Sequence, residues 1–552
     1  MSEQTSQILP KNRRRLRLDR WGLGAIIIAM IVLLPIVSVI WIAANPETNV
    51  WPHLVSTTLP RYLRNTIVLM LGVGGLTIVV GVGTAWLVSM YRFPMVRWLE
   101  WALLLPLAIP AYVGAYALVD FLEYAGPVQT LLRDLFGWEN ARAYWFPQVR
   151  TRTMATLVIA ASLYPYVYLM ARAAFREQSG AAYEVAQALG VGPWRRFFKV
   201  GLPLARPAIA AGVAVVMMET VNDFGTVDYF AVQTLTTGIF SLWDESRNAA
   251  GAAQIACLVL TLVVVLVVLE QVGRARSRYF GAARSVRPIV RPRIIGVRGW
   301  IAGGLCLMPF LLGFVLPTSV LLSHALDAPE VWISQGLLSA LGTSVLVGGV
   351  AAVVTVLGGV FMVYGVRLSG RRLPQLLMPA TLIGYAVPGA VLGIGVLIPM
   401  AAFDNALADA IVAITGFEVG LIMTGSIGAL VIAYFVRFFA IAQGTADAAI
   451  GRVTPSLPMA ARSLGRTAGG TLAAVYAPLI RTSVASALLL VFVDCIKELP
   501  ATLLLKPTYV DTLATRVHYQ ASLEDIAQAA PPALLIVVVG LVAVGLLARA
   551  NR

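Results

Sequence analysis

The chain has 552 residues, 59% of them hydrophobic and only 12% charged, and its mean hydropathy is +0.81. A soluble domain carries about a quarter charged residues, so a soluble enzyme or soluble binding module is excluded. The net charge of +15 argues no better for a nucleic-acid binder, because the basic residues fall in short runs between apolar segments.

Twelve stretches reach the roughly 20 apolar residues needed to cross a ~30 Å hydrocarbon core: 22–44, 66–90, 98–122, 153–173, 204–222, 252–270, 300–323, 341–366, 376–401, 419–441, 479–496 and 531–548. In lipid every backbone polar group must find a partner internally, so helices are predicted throughout. The fold class is an all-α polytopic membrane protein. The first stretch is too long for a signal-peptide core, and Asn45-Pro46-Glu47 offers no small-x-small cleavage site, so it reads as a retained helix. With the N-terminus inside and alternating sides, most Lys and Arg fall inside and most acids outside, as the positive-inside rule requires. Both termini are then cytoplasmic. The runs Lys11 to Arg20 and Arg274 to Arg298 are topological anchors that can also touch anionic lipid.

The twelve predicted helices divide into two six-helix halves of the same orientation. Arg64-Asn65-Thr66-Ile67 opens the second span, and Gly342-Thr343-Ser344-Val345 opens the eighth 278 residues later. Ile109-Pro110 and Val387-Pro388 share that offset, which places a helix-kinking proline at one depth in both halves. Glycines at 72, 74, 75, 81 and 83, and at 348, 349, 358 and 359, are predicted to let helices approach closely. The resulting organisation is a first half 1–270, a basic connector 271–299 and a second half 300–552.

One polar loop occurs twice, at 184–203 and 459–478. The first copy reads Glu184-Val185-Ala186-Gln187-Ala188-Leu189-Gly190, then nine residues before Val200-Gly201-Leu202-Pro203. The second reads Met459-Ala460-Ala461-Arg462-Ser463-Leu464-Gly465, then nine residues before Val475-Tyr476-Ala477-Pro478. Good helix formers end at a glycine, a turn follows, and in the first copy Pro193 suits the start of the next helix. Trp194, Phe197 and Phe198 lie among Arg195, Arg196 and Lys199. Apolar knobs rimmed by cations fit a groove on a soluble partner; a helix lying on the bilayer surface is the plainer alternative.

After each loop, a predicted membrane helix ends in charged residues. Glu219, Asn222 and Asp223 correspond, 275 residues on, to Asp494, Lys497 and Glu498. Intramembrane carboxylates are expensive and face a partner or an aqueous path. The two readings are an outer gate with a cation-tolerant route, or packing in which Glu498 is neutralised by Lys497 or by another helix. Segments 123–152, 224–250 and 499–530 read as long outer loops bearing Trp138, Tyr144, Trp145, Trp243, Tyr509 and Tyr519. Cys257, Cys306 and Cys495 have no paired spacing. His53, His324 and His518 are far apart and near outer loops, where a solvated role is expected, and no metal site is assigned.

The loop pattern resembles the signature loop of the membrane subunits of binding-protein-dependent ABC importers, and the likeness extends over both halves. It implies a type I permease whose loops dock into two copies of a cytoplasmic ABC ATPase. Glu184, Ala186, Gly190, Arg195 and Pro203 carry the first dock, and Ala461, Gly465 and Pro478 the second. The second departs from the pattern: Met459 replaces the glutamate and Ala477 the leucine before proline. No Gly-x-x-x-x-Gly-Lys-Ser/Thr loop is present, so ATP and Mg are expected on the partner ATPase and no cofactor on this chain. The segments Asn222 to Val227, Lys497 to Leu505 and Asp511 to Arg516 resemble those of fused ferric-iron permeases. That likeness implies a bacterial inner-membrane importer of Fe(III), loaded by a periplasmic or lipoprotein binding protein. Thiamine, polyamine and phosphonate permeases share the architecture. An ion-coupled secondary transporter needs no docking loop, and a membrane enzyme lacks a His-Glu-x-x-His or Gly-x-Ser-x-Gly motif here.

Overall fold

The computed structural model describes residues 20–46, 48–275, 291–418 and 420–550. The basic run Lys11 to Arg20, apart from Arg20, and positions 276–290 of the connector lie outside the described residues. Among the described residues eleven helices are long and apolar enough to span a bilayer, or twelve if the bent pair Val96–Ala108 and Ala111–Phe136, turned by 94°, counts as one span. No strand forms among the described residues. An isolated bridge joins Arg92 to Arg293: Arg92 N–H donates to Pro292 O (3.0 Å), and Ile294 N–H donates to Arg92 O (2.8 Å). The end of the connector is thereby pinned to the end of helix Leu59–Met90.

The third and ninth stretches depart from the sequence expectation. Neither proline kinks a continuous helix. Pro110 and Pro388 each stand at a true break, with the same backbone angles (φ −57°, ψ 144°), immediately before the helices Ala111–Leu122 and Gly389–Thr415. The preceding residues, Ile109 (φ −103°, ψ 115°) and Val387 (φ −74°, ψ 126°), are extended, because a following proline ring crowds the helical conformation. In place of 376–401, the long helix therefore begins only at Gly389, behind the short pieces Arg372–Ala380 and Ile383–Ala386.

Helix Leu59–Met90 packs along Arg152–Glu177, and Gln335–Ser369 along Ile427–Gly451. Two of the predicted glycines set these contacts. A Cβ on Gly81 would lie 2.9 Å from Val167 Cβ and 3.0 Å from Tyr168 N; one on Gly359 would lie 2.9 Å from the Ala442 carbonyl carbon. Gly75, Gly83 and Gly349 face open space. Helix Arg20–Ala44 packs on helices 335–369 and 389–415, whereas Leu316–Asp327 packs against 111–122. Each outermost helix therefore leans on the other half of the sequence.

At the end of the bundle that carries the duplicated loops, Glu100 pairs with both Arg172 and Arg176. Tyr168 donates to Glu100 O (3.0 Å), and the Trp101 ring lies 5.3 Å from the Arg172 guanidinium. Arg172 is only 4% exposed, and removing its partner leaves a buried charge uncompensated. Glu100→Ala is expected to lower stability by about 3–5 kcal/mol, read as a fall in the thermal midpoint of the detergent-solubilised protein. An unchanged midpoint would show that this triad does not hold the helices together.

Candidate coupling loops and translocation site

The two loops have one geometry. Helix Gly180–Ala188 ends at Gly190 (φ +72°), and helix Ser456–Ser463 ends at Gly465 (φ +80°). A side chain is strained in this left-handed region, which accounts for glycine at both turns. Gly190 N–H donates to Gln187 O and Val191 N–H to Ala186 O; Gly465 N–H donates to Arg462 O and Arg466 N–H to Ala461 O. All four bonds fall between 2.9 and 3.0 Å and close the helix ends in the same way. Ala186 and Ala461 are buried beneath the turns, while Leu189 and Leu464 stand 77% and 85% exposed, with Trp194 and Met459 also exposed. Glu184 and Arg195 lie on the exposed surface as well.

Each loop runs without interruption into a long helix, Pro193–Asn222 or Ala468–Lys497. Both helices contain one wider π turn, Phe197–Gly201 and Leu472–Tyr476. Pro203 and Pro478 sit just beyond these turns; a proline cannot donate to the carbonyl four residues back, and the widened turn accommodates that loss. Different braces hold the two loops. Trp86 packs on Phe175, Tyr183 and Phe197 in the first. In the second, Tyr364 donates to Ala468 O (2.7 Å) and meets Tyr476 and Trp21 edge-on.

At their other ends the long helices converge. Glu219, Asn222, Asp223, Asp494, Lys497 and Glu498 all border a single cavity of about 190 Å³, together with Pro110, Tyr112, Tyr166 and Arg437. The acids differ in their attachments. Asp223 Oδ1 accepts from Thr226 N–H (3.0 Å) and Val227 N–H (3.1 Å), and its Oδ2 accepts from the Thr226 hydroxyl (2.8 Å). It thereby caps the short helix Gly225–Tyr229. Glu498 Oε1 accepts from Ala501 N–H (3.2 Å) and caps Pro500–Leu505 in the same way. Lys497 pairs with Asp494 (3.3 Å), not with Glu498. Arg437, from helix 427–451, lies 3.6 Å from Glu498 Oε1 and donates to the Val387 O at the break before Pro388 (3.4 Å). Arg437 was missed in the sequence reading, although a lone arginine amid Ala433-Tyr434-Phe435-Val436 and Phe438-Phe439 was the available signal.

The expected outer loops 224–250 and 499–530 are instead largely buried hairpins. Thr226, Leu235, Thr502 and Leu513 are each 0% exposed. Capping boxes Thr234/Thr237 and Thr512/Thr515 start their second helices. Leu235 N–H donates to the Thr66 hydroxyl (3.0 Å), and Leu513 N–H to the Ser344 hydroxyl (2.7 Å), the positions at which the second and eighth spans begin to match in sequence. Within 123–152, Trp138 stacks between Phe136 and Tyr144, while Trp145 is exposed, as are Tyr509 and Tyr519 on the last segment.

Phe224 borders both the central cavity and a larger one of about 750 Å³ beyond it, which is edged by Asp228, Asp244, Glu245, Trp243 and His518. The Phe224 ring stacks on Phe240 at 3.8 Å. His518 is not solvated: Tyr116 Oη lies 2.8 Å from its Nδ1, and burial pushes the imidazole down to about 4. It is uncharged at neutral pH, so Asp228 at 3.9 Å does not form an ion pair with it there. His324 bonds Asp120 (2.8 Å), and His53 is exposed. Among the described residues no group of three or more His, Cys, Asp or Glu is placed to hold a metal.

Comparison with known proteins accords with this architecture. Residues 77–278 match the family described as the binding-protein-dependent transport system inner membrane component. The chain is 26% identical to the Fe(3+)-transport system permease protein FbpB 2 of Haemophilus influenzae, over 86% of this chain and 87% of that one. It is 23% identical to the ferric transport system permease protein FbpB of Actinobacillus pleuropneumoniae, over 76% of this chain and 61% of that one. Against the molybdenum transport system permease protein ModB of Escherichia coli it is 25% identical, over 35% of this chain and 82% of that one. With its apolar helices and the match of residues 77–278 to this family, the chain is a multi-pass membrane protein that carries a domain similar to the inner-membrane components of binding-protein-dependent transport systems.

Proposed function

We propose that this chain is the membrane subunit of an ATP-driven importer of ferric iron. The observation that carries the importer reading is the pair of exposed loops with matching turns, each continuous with a helix that ends at the central cavity. Two copies of an ABC ATPase, holding ATP and Mg, dock at 184–203 and 459–478. A periplasmic or lipoprotein binding protein delivers cargo at the opposite end. The loop end and both termini face the cytoplasm, and the two six-helix halves form a parallel repeat joined by the basic connector. Closure of the ATPase pair moves the loops, the long helices transmit the motion, and cargo passes from the 750 Å³ vestibule past Phe224 into the acid-lined cavity. Hydrolysis resets the inward-facing state.

The iron assignment draws on the names of the relatives and on charge. Glu219, Asp223, Asp494 and Glu498 face the cavity against Arg437 and Lys497, and carboxylate oxygens suit hard cations. An oxyanion of the kind implied by the molybdenum permease would meet an excess of negative charge there. Thiamine and polyamines are cationic too, and the uptake test separates them.

Restoring the gene to cells that lack it is expected to restore ATP-dependent uptake of radiolabelled ferric iron. Uptake of thiamine, a polyamine or a phosphonate instead would reassign the cargo and leave the importer intact. Leu189→Asp and Leu464→Asp, on side chains that support no core, should each weaken ATPase binding by about ten-fold or more, equivalent to ~1.4 kcal/mol, without lowering the thermal midpoint. Full affinity in both variants would remove the loops as docking points. Phe224→Ala should raise ATP-independent iron leakage into proteoliposomes; unchanged leakage would place the barrier elsewhere.

A further inference from the structure

Of the four cavity acids, three are committed to the protein itself. Asp494 is tied to Lys497 (3.3 Å). Asp223 is used up as a helix cap by three hydrogen bonds. Glu498 gives one oxygen to the Ala501 amide and faces Arg437. Glu219 stands on the cavity wall without a hydrogen bond or ion pair at contact distance among the described residues, and Arg437 and Lys497, spent on Glu498 and Asp494, act on it only across the cavity. A carboxylate left unpaired in a membrane span is costly unless something else visits it.

Three further oxygens around the same cavity are buried and lack a partner: the Tyr112 hydroxyl, Asn222 Oδ1 and Glu498 Oε2. Their residues are 6%, 5% and 5% exposed, so bulk water does not satisfy them. Buried polar atoms are normally hydrogen-bonded, and three orphans around one small cavity mark a place where a ligand completes the set.

On the reading of this chain as an iron importer, we propose that Glu219, with the oxygens of Tyr112, Asn222 and Glu498, forms a transient contact site for the cargo cation, and that Glu219 sets its specificity. The donors are all oxygen, which selects a hard cation over a soft one. No group of three or more His, Cys, Asp or Glu among the described residues is placed to hold a resident metal. Such a site replaces part of the cargo's ligand shell during passage and then releases it, with no change of oxidation state. Asp223 and Asp494 serve structure, not cargo.

The test uses the full importer, with its ATPase and iron-loaded binding protein, in proteoliposomes, and records both ferric-iron uptake and ATP hydrolysis stimulated by the binding protein. Glu219→Gln keeps the shape and removes the charge. It is expected to lower uptake about ten-fold or more while stimulated hydrolysis stays within about two-fold of the unaltered complex; Glu219→Asp should recover most of the uptake. Undiminished uptake by Glu219→Gln overturns the proposal. Parallel loss of uptake and stimulated hydrolysis also overturns it, because Glu219 then acts in coupling. If the unaltered complex hydrolyses ATP in response to a binding protein yet moves no ferric iron, the iron reading itself fails, an outcome distinct from both.

Discussion

A helix that stops within a hydrocarbon layer leaves unpaired amides and carbonyls where no water can reach them. This chain stops helices there repeatedly, and the places where it does so are the places where its polar residues gather. Asp223 and Glu498 take up the amides of the short helices that follow them. Arg437 takes up the Val387 carbonyl. The broken backbone and the charged cavity are therefore one construction: the residues that make interruption tolerable also give the centre its polarity. The dilemma posed by the sequence, packing or pathway, resolves differently for different acids.

Mechanical continuity is the second theme. Beyond its glycine turn, the second arm of each loop belongs to the same long helix as the charged residues at that helix's far end, so a push on this arm is delivered without a joint except at the π turns. The braces behind the two loops differ, an aromatic cluster around Trp86 in one case and Tyr364 with Trp21 in the other. Trp21 comes from the first helix, so the second loop leans on the opposite half of the sequence. The replacement of glutamate by Met459 adds to this inequality. The two loops present the same turn but different surfaces and different supports.

Much of this was legible in the sequence, and for physical reasons. Length and hydropathy locate helices in lipid because a continuous apolar run of about 20 residues can pair its own backbone there only as a helix, and spacing revealed the paired loops because a left-handed turn needs glycine at a fixed position. Gly81 and Gly359 were visible as candidates, although only packing distinguishes them from Gly75 or Gly349, which touch nothing. What escaped was long-range. The segments 224–250 and 499–530 look like loops because they are polar, yet their threonines are spent on caps and on one another, and so can be buried. His518 looked solvated because its neighbours in sequence are polar, while its neighbour in space is Tyr116. Arg437 was hidden by its apolar company, and its partner lies 61 positions away in the chain.

The prolines at the two breaks have a consequence for motion. A straightened segment would need an amide at position 110 or 388 and a helical residue just before it, and proline denies both. The 94° corner after Ala108 therefore behaves as a welded elbow, not a hinge, and it holds Tyr112 and the adjoining wall in a set orientation whatever the rest of the molecule does. Shape change is displaced to sliding between whole helices and to the loosened π turns near the loops. The two proline breaks keep their form, and the compliance lies between the helices that move around them.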